Sequence, residues 1–287
     1  MRLLNFERNG RRSCGILAGS AVIDLQLRMP SRPDELFALI QSGAVRAAER
    51  FISATPDYAL GEVQILNPAS RRSRYFCIGV NYPERNEEYR DGTQRAQYPS
   101  VFMRTHASFV AHDESIVRPR ESEQLDYEGE IVVVIGTGGR RIPRQRALEH
   151  VLGYTCANEG SVRDWLRHSK FNVTQGKNFD RSGALGPWIV TRPEATDTLR
   201  VTTRVNGETR QDDSSERMLF PIPFLIEYLS TFCALEPGDV ILSGTPSGAG
   251  ARLDPPRYLR PGDIVEVEVS GVGTLCNTVG DDAEATS

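Results

Sequence analysis

Three acids at alternate positions, Asp126, Glu128 and Glu130, run directly into Ile131-Val132-Val133-Val134-Ile135-Gly136. The apolar run is β-branched and closed by glycine, so it predicts a buried strand. Side chains alternate faces along a strand, so the three carboxylates are expected to point the same way. Like charges that close repel, and a proton or a cation must relieve them. Mg²⁺ and Mn²⁺ do so readily, because hard divalent ions prefer carboxylate oxygens. A solvated strand end whose acids face water fits the same spacing, so spacing alone leaves both readings open.

Further along the chain, within a stretch from Asn158 to His168 read as helical, Glu159 comes just before the helix start near Ser161, where an acid caps the helix or supplies a third ligand. Arg163 and Asp164 lie one turn on. Lys177, in Gln175-Gly176-Lys177, is expected in a loop where glycine permits close backbone approach; a plain surface lysine is the alternative. Ser243-Gly244-Thr245-Pro246-Ser247-Gly248-Ala249-Gly250 lacks the Lys-Ser/Thr ending of a P-loop, and Pro246 removes an amide donor. It reads better as a turn against a small anion, with Thr245 as donor. The histidines (His106, His112, His150, His168) show no metal-ligand spacing, and no Gly-x-Ser-x-Gly elbow is present.

The elements that must hold these residues follow from pattern. Residues 1–70 read as a small α/β accessory unit. It opens on a hairpin from Leu3 to Ala18, extended by Val22-Ile23-Asp24-Leu25. A helix capped by Ser31 with Pro33 in its first turn follows, then a second from Val45 to Ile52. Ser70-Arg71-Arg72-Ser73 marks a boundary, and the main unit spans 73–287. Its strands are Tyr75–Val80, Pro99–Arg104, the run from Glu130, Gly153–Ala157, Leu199–Val205, Asp239–Leu242 and Asp263–Val269. Helices are expected over Arg144–His150 and Pro223–Phe232. Strands outnumber helices without regular alternation, which argues against a doubly wound sheet.

Composition excludes several classes. A net charge of -4 leaves no basic footprint for nucleic acid. No apolar run approaches the ~18 residues of a membrane span, and the N-terminus carries charge too early for a secretory signal. Cys14, Cys77, Cys156, Cys233 and Cys276 form no Cys-x-x-Cys, which points to a reducing, cytoplasmic setting.

Several motifs then line up in one order: Gly79-Val80-Asn81-Tyr82, Asp126-Tyr127-Glu128-Gly129-Glu130, Gly153-Tyr154-Thr155 with Asn158 to Asp164, Gly176-Lys177-Asn178-Phe179-Asp180, Leu185-Gly186-Pro187-Trp188, Val205-Asn206-Gly207-Glu208, Pro237-Gly238-Asp239 and Gly244-Thr245-Pro246. Over residues 73 to 280 the set resembles the fumarylacetoacetate hydrolase family. The resemblance implies an α+β, mainly β chain, a mixed β-roll or β-sandwich, commonly a homodimer. It implies Mg²⁺ or Mn²⁺ on Glu128, Glu130 and Glu159, where the family usually has Asp at the last position. It places Arg163, Lys177 and Thr245 around a 2-oxo acid substrate, with Gly244, Asn81 and Tyr82 beside them. The enolate chemistry it implies is cleavage of a 2,4-dioxo acid to pyruvate and a second acid, in aromatic or sugar-acid breakdown. Decarboxylation or isomerisation on the same scaffold, or a catalytically silent binding protein, are the alternatives. The hydrolases it resembles carry a His and then a Glu in a closing segment after Asn-Tyr; here those positions are Arg85 and Glu88. Arginine is no general base near neutral pH, so Glu88 (or Glu87) is expected to take that part, with Arg85 at the substrate's distal end and His106 as the fallback.

Overall fold

The computed structural model describes residues 1–83, 97–168, 172–192 and 198–282. Arg85, Glu87 and Glu88 lie outside them. In chain order the strands are β1 (Arg2–Arg8), β2 (Arg11–Ala18), β3 (Ala21–Asp24), β4 (Tyr58–Ala59), β5 (Gln64–Leu66), β6 (Tyr75–Ile78), β7 (Val101–Arg104), β8 (Phe109–Val110), β9 (Ile116–Arg118) and β10 (Leu125–Asp126). They continue with β11 (Gly129–Ile135), β12 (Val151–Asn158), β13 (Ser161–Val162), β14 (Gly183–Thr191), β15 (Arg200–Val205), β16 (Glu208–Ser214), β17 (Val240–Leu242), β18 (Ile264–Val269) and β19 (Gly273–Asp281). One mixed sheet runs β4-β3-β2-β1-β14-β12-β11-β17-β6-β7, with β5 on β1 and β8 on β14. A second sheet runs β16-β15-β18-β19-β9. The fold is α+β and mainly β.

β11 explains the architecture. Ile131, Val133 and Ile135 pack with Val201, Val265, Val267 and Val269 of the second sheet. Val132 and Val134 pack the other way, against Leu3, Ile16, Leu36 and Leu39 of the N-terminal segment. Both faces are therefore buried, which is why the run is apolar without alternation. Covering each such side chain contributes about 1.5–3 kcal/mol. The N-terminal strands are joined to the main unit by backbone pairing, β1 to β14 through Arg2↔Val190 and Leu3↔Ile189.

The structure departs from the sequence reading at four places that matter. The period of two does not carry from Asp126 to Glu130, because the strand breaks at Tyr127–Glu128 between β10 and β11. The segment after Asn158 is not helical: Ser161-Val162 pairs with Leu125-Asp126 as β13, and only Trp165–His168 forms a 3-10 turn. Glu159 is thus no helix cap. Lys177 ends a short helix, Thr174–Lys177, and is buried rather than in a surface loop. In the N-terminal segment the helix starts at Leu36 behind Glu35, so Ser31 caps nothing; the backbone N–H of Leu36 donates to Asn5 Oδ1 instead.

Candidate metal and 2-oxo acid site

Glu128 leaves the β10–β11 break, Glu130 follows on β11, and Glu159 sits at the corner between β12 and β13. β11 and β12 are antiparallel neighbours with Gly129 opposite Asn158, so the corner brings Glu159 beside the other two acids. One carboxylate oxygen from each of the three lies within 4.8 Å of the others. All three are buried, at 4%, 1% and 1% exposure. Gly160 makes the corner possible, because a Cβ there would stand 1.7 Å from the Ser182 carbonyl oxygen.

Two cations face this cluster. Lys177 Nζ donates to Glu128 Oε2 at 2.5 Å and to Glu159 Oε2 at 2.8 Å. Arg163 bridges Asp126 Oδ2 at 2.8 Å and Glu128 Oε1 at 2.6 Å. Burial disfavours the Lys177 charge, but Glu128 and Glu159 outweigh it and hold the ammonium above its usual range. Burial pushes Glu130 well above the carboxylate range, and the charges of Glu159 and Glu128 push it further. Gly244 N–H donates to Glu130 Oε2 at 2.7 Å. Glu130 Oε1 and Glu159 Oε1 are buried and have no partner. Unpaired carboxylate oxygens in the interior are costly, and a hard cation would relieve both at once. The residues present therefore fit a divalent ion on Glu128, Glu130 and Glu159.

A cavity of about 180 Å³ opens on the cluster. Arg163, Lys177 and Thr245 line its polar side, and Phe102, Leu166 and Val173 its apolar side. Gly176 lets the Lys177 helix close on this wall, since a Cβ there would meet the Val162 carbonyl oxygen at 2.6 Å.

Other expected contacts fall elsewhere. Asn81 does not line the cavity: its amide is spent on Ser243 O at 2.6 Å, Phe220 O at 3.2 Å and Phe220 N–H at 2.8 Å. It clamps the Ser243-Gly244 turn, so its contribution is to the wall. Tyr82 is fully buried and Gly244 serves Glu130; neither lines the cavity. The Thr245 hydroxyl donates to Gly129 O at 3.0 Å and accepts from Gln211, so it braces β11. Asp126 turns to Arg163 and to the N–H groups of Gly250 and Ala251, away from the triad. His106 Nδ1 lies 2.7 Å from Tyr75 Oη and lines a different cavity, of about 450 Å³, with Arg12 and Arg71. Sequence reasoning passed over Arg104, a buried arginine at the end of β7 whose guanidinium reaches the Glu159–Gly160 corner. Its signal was a charge closing an apolar strand.

A mainly β scaffold thus sets buried acids and cations around one small cavity. The chain belongs to the fumarylacetoacetate hydrolase family: residues 74–280 match the model of the fumarylacetoacetate hydrolase C-terminal domain. It is 40% identical over 228 residues to oxaloacetate tautomerase YisK of Bacillus subtilis, covering 78% of this chain and 75% of that one. It is 34% identical over 266 residues to the mitochondrial oxaloacetate tautomerase Fahd2a of Rattus norvegicus, covering 91% and 84%. Among solved structures it resembles the fumarylacetoacetate hydrolase of Exiguobacterium antarcticum, with TM-score 0.83 and 32% identity over 98% of this chain and 100% of that one. No helix among the described residues is long and apolar enough to cross a membrane.

Proposed function

We propose that this chain is a divalent-metal-dependent enzyme of the isomerase class, interconverting the keto and enol forms of a small 2-oxo dicarboxylic acid. Oxaloacetate is the first candidate, from the names of relatives 34–40% identical to it. This displaces C–C hydrolysis as the preferred reading. The observation that carries it is the cavity itself. Buried glutamates with two free oxygens face Lys177 and Arg163, and no histidine is among the described residues that line the space. Tautomerisation moves one proton between carbon and oxygen and consumes no water. C–C hydrolysis would need, besides a base, a water held against the substrate carbon.

When bound on Glu128, Glu130 and Glu159, Mg²⁺ or Mn²⁺ supplies positive charge that stabilises a developing enolate. The chain's own residues do the rest. Arg163 is held in place by Asp126 and Glu128 and offers its guanidinium to a substrate carboxylate. Lys177, kept protonated by Glu128 and Glu159, donates toward the enolate oxygen. Phe102, Leu166 and Val173 exclude water from that side. Glu88 takes and returns the carbon-bound proton, and Arg85 meets the distal carboxylate. We place the enzyme in the cytoplasm on its five free thiols, and as a homodimer, which light scattering checks.

The test follows enol absorbance of fresh oxaloacetate at neutral pH. Metal-dependent acceleration over buffer, lost with a chelator, is expected; no acceleration with either metal overturns the reading. The hydrolase of Exiguobacterium antarcticum, 32% identical, keeps a second reading open. Pyruvate released together with a second acid from a 2,4-dioxo acid panel would favour it.

A further inference from the structure

We propose that Arg104 is a positioning residue for the carboxylate triad, tying down the Glu159–Gly160 corner so that Glu159 reaches Glu128 and Glu130. The consequence for metal rests on the reading above; the geometry stands apart from it.

Arg104 closes β7 and is 4% exposed. A buried guanidinium must spend its donors, and a carboxylate is the usual partner. Here no described carboxylate pairs with it. Nη1 donates to Gly160 O at 3.0 Å, Nη2 to Ser182 Oγ at 3.1 Å and Ser108 O at 3.3 Å, and Nε to Ser108 Oγ at 3.1 Å. The Phe109 ring lies under the group, 4.3 Å from Cζ to centroid. Three chain segments thus meet on one planar fork: the β12–β13 corner, the residue before β14, and the turn after β7.

The corner needs such a tie. Gly160 presses on the Ser182 carbonyl so closely that no side chain fits between them. Arg104 holds that contact from the side, grasping Gly160 and Ser182 together. Its charge points the same way: burial opposes it, and Glu159 is the carboxylate that most sustains it.

The test is Mn²⁺ binding by calorimetry, with folding checked by near-UV circular dichroism. Arg104→Lys keeps the charge but loses the fork. It is expected to weaken Mn²⁺ by about 10–100-fold, as changes behind metal ligands do. Ser182→Ala, a milder lesion, should weaken it less and covers the case where Arg104→Lys does not fold. In a Glu159→Asp background, which keeps a measurable part of the affinity, either change should cost less than it does in the wild type, because Arg104 acts through position 159. A folded Arg104→Lys protein with wild-type affinity, or an equal loss in the Glu159→Asp background, overturns the proposal. Wild-type protein that takes up no divalent ion overturns the metal reading and this proposal with it; uptake that survives Arg104→Lys removes only the proposal.

Discussion

Glu130 Oε1 and Glu159 Oε1 are the two buried oxygens of the triad without a partner, and they set the first expectation. Glu130→Ala or Glu128→Ala should abolish tight Mn²⁺ binding, because each removes an oxygen from a three-carboxylate set. Titration of Mn²⁺ into each variant checks it, and unchanged affinity would refute the assignment. Glu159→Asp should retain part of the affinity and Glu159→Gln little of it. A second residue sets a pH limit. Burial, and then Arg71, lowers the proton affinity of His106 below its usual value. The unfolded chain therefore binds more protons than the folded one as pH falls below the ordinary histidine value, about 6.5. The stability His106 contributes is present above that pH and is lost as pH falls through its lower folded value. Melting temperature should drop from about pH 7.5 to 5.5, and His106→Gln should flatten part of that drop.

Corners and short pieces, rather than long helices, carry the site. The β12–β13 corner turns on Gly160, so Gly160→Ala forces a Cβ to 1.7 Å from a backbone oxygen. We expect a loss of about 3 kcal/mol or more, toward the severe end for single changes. Mn²⁺ affinity should fall with it, because Glu159 moves; denaturant melts and calorimetry report both. The helix Ile222–Phe232 is a contrasting element. Leu225, Ile226 and Leu229 are fully buried against the main core. Leu225→Ala should cost about 2–5 kcal/mol and leave the metal affinity of the folded protein untouched. That separation of stability from binding distinguishes scaffold from site.

At the scale of the molecule, the central sheet runs unbroken from β4 in the N-terminal segment to β7. Val132, Val134, Val240 and Leu242 of the main unit share a core with Leu3, Ile16, Leu36 and Leu39. A chain beginning at residue 73 would expose that face and the β14 edge that β1 covers. We expect residues 73–287 alone to aggregate or to bind a hydrophobic dye with weak near-UV signal. A monodisperse, cooperatively melting fragment would show instead that the unit from 73 onward is autonomous.

The sequence by itself determined the core strand and, through its motifs, the family. A β-branched run ending in glycine has few other ways to be satisfied, whereas Glu128, Glu130, Lys177 and Arg163 gained a metal and substrate reading only through the resemblance of the ordered motifs to a family. The order of the motifs carried the family, because fixed spacing along a chain survives as fixed neighbours in a sheet. It could not reveal that Asp126 leaves the triad, that Glu159 turns on a corner instead of a helix, or that Lys177 is buried. Those depend on a strand break at Tyr127–Glu128, on Ser161-Val162 pairing with Leu125-Asp126, and on Gly160 meeting Ser182. Each is a contact between residues distant in the chain, and local propensity holds no information about which distant backbone will supply the partner. Asn81 and Thr245 illustrate the same point: their residue types permit substrate contact, but tertiary hydrogen bonds to Phe220, Ser243 and Gly129 spend those groups on the wall of the site.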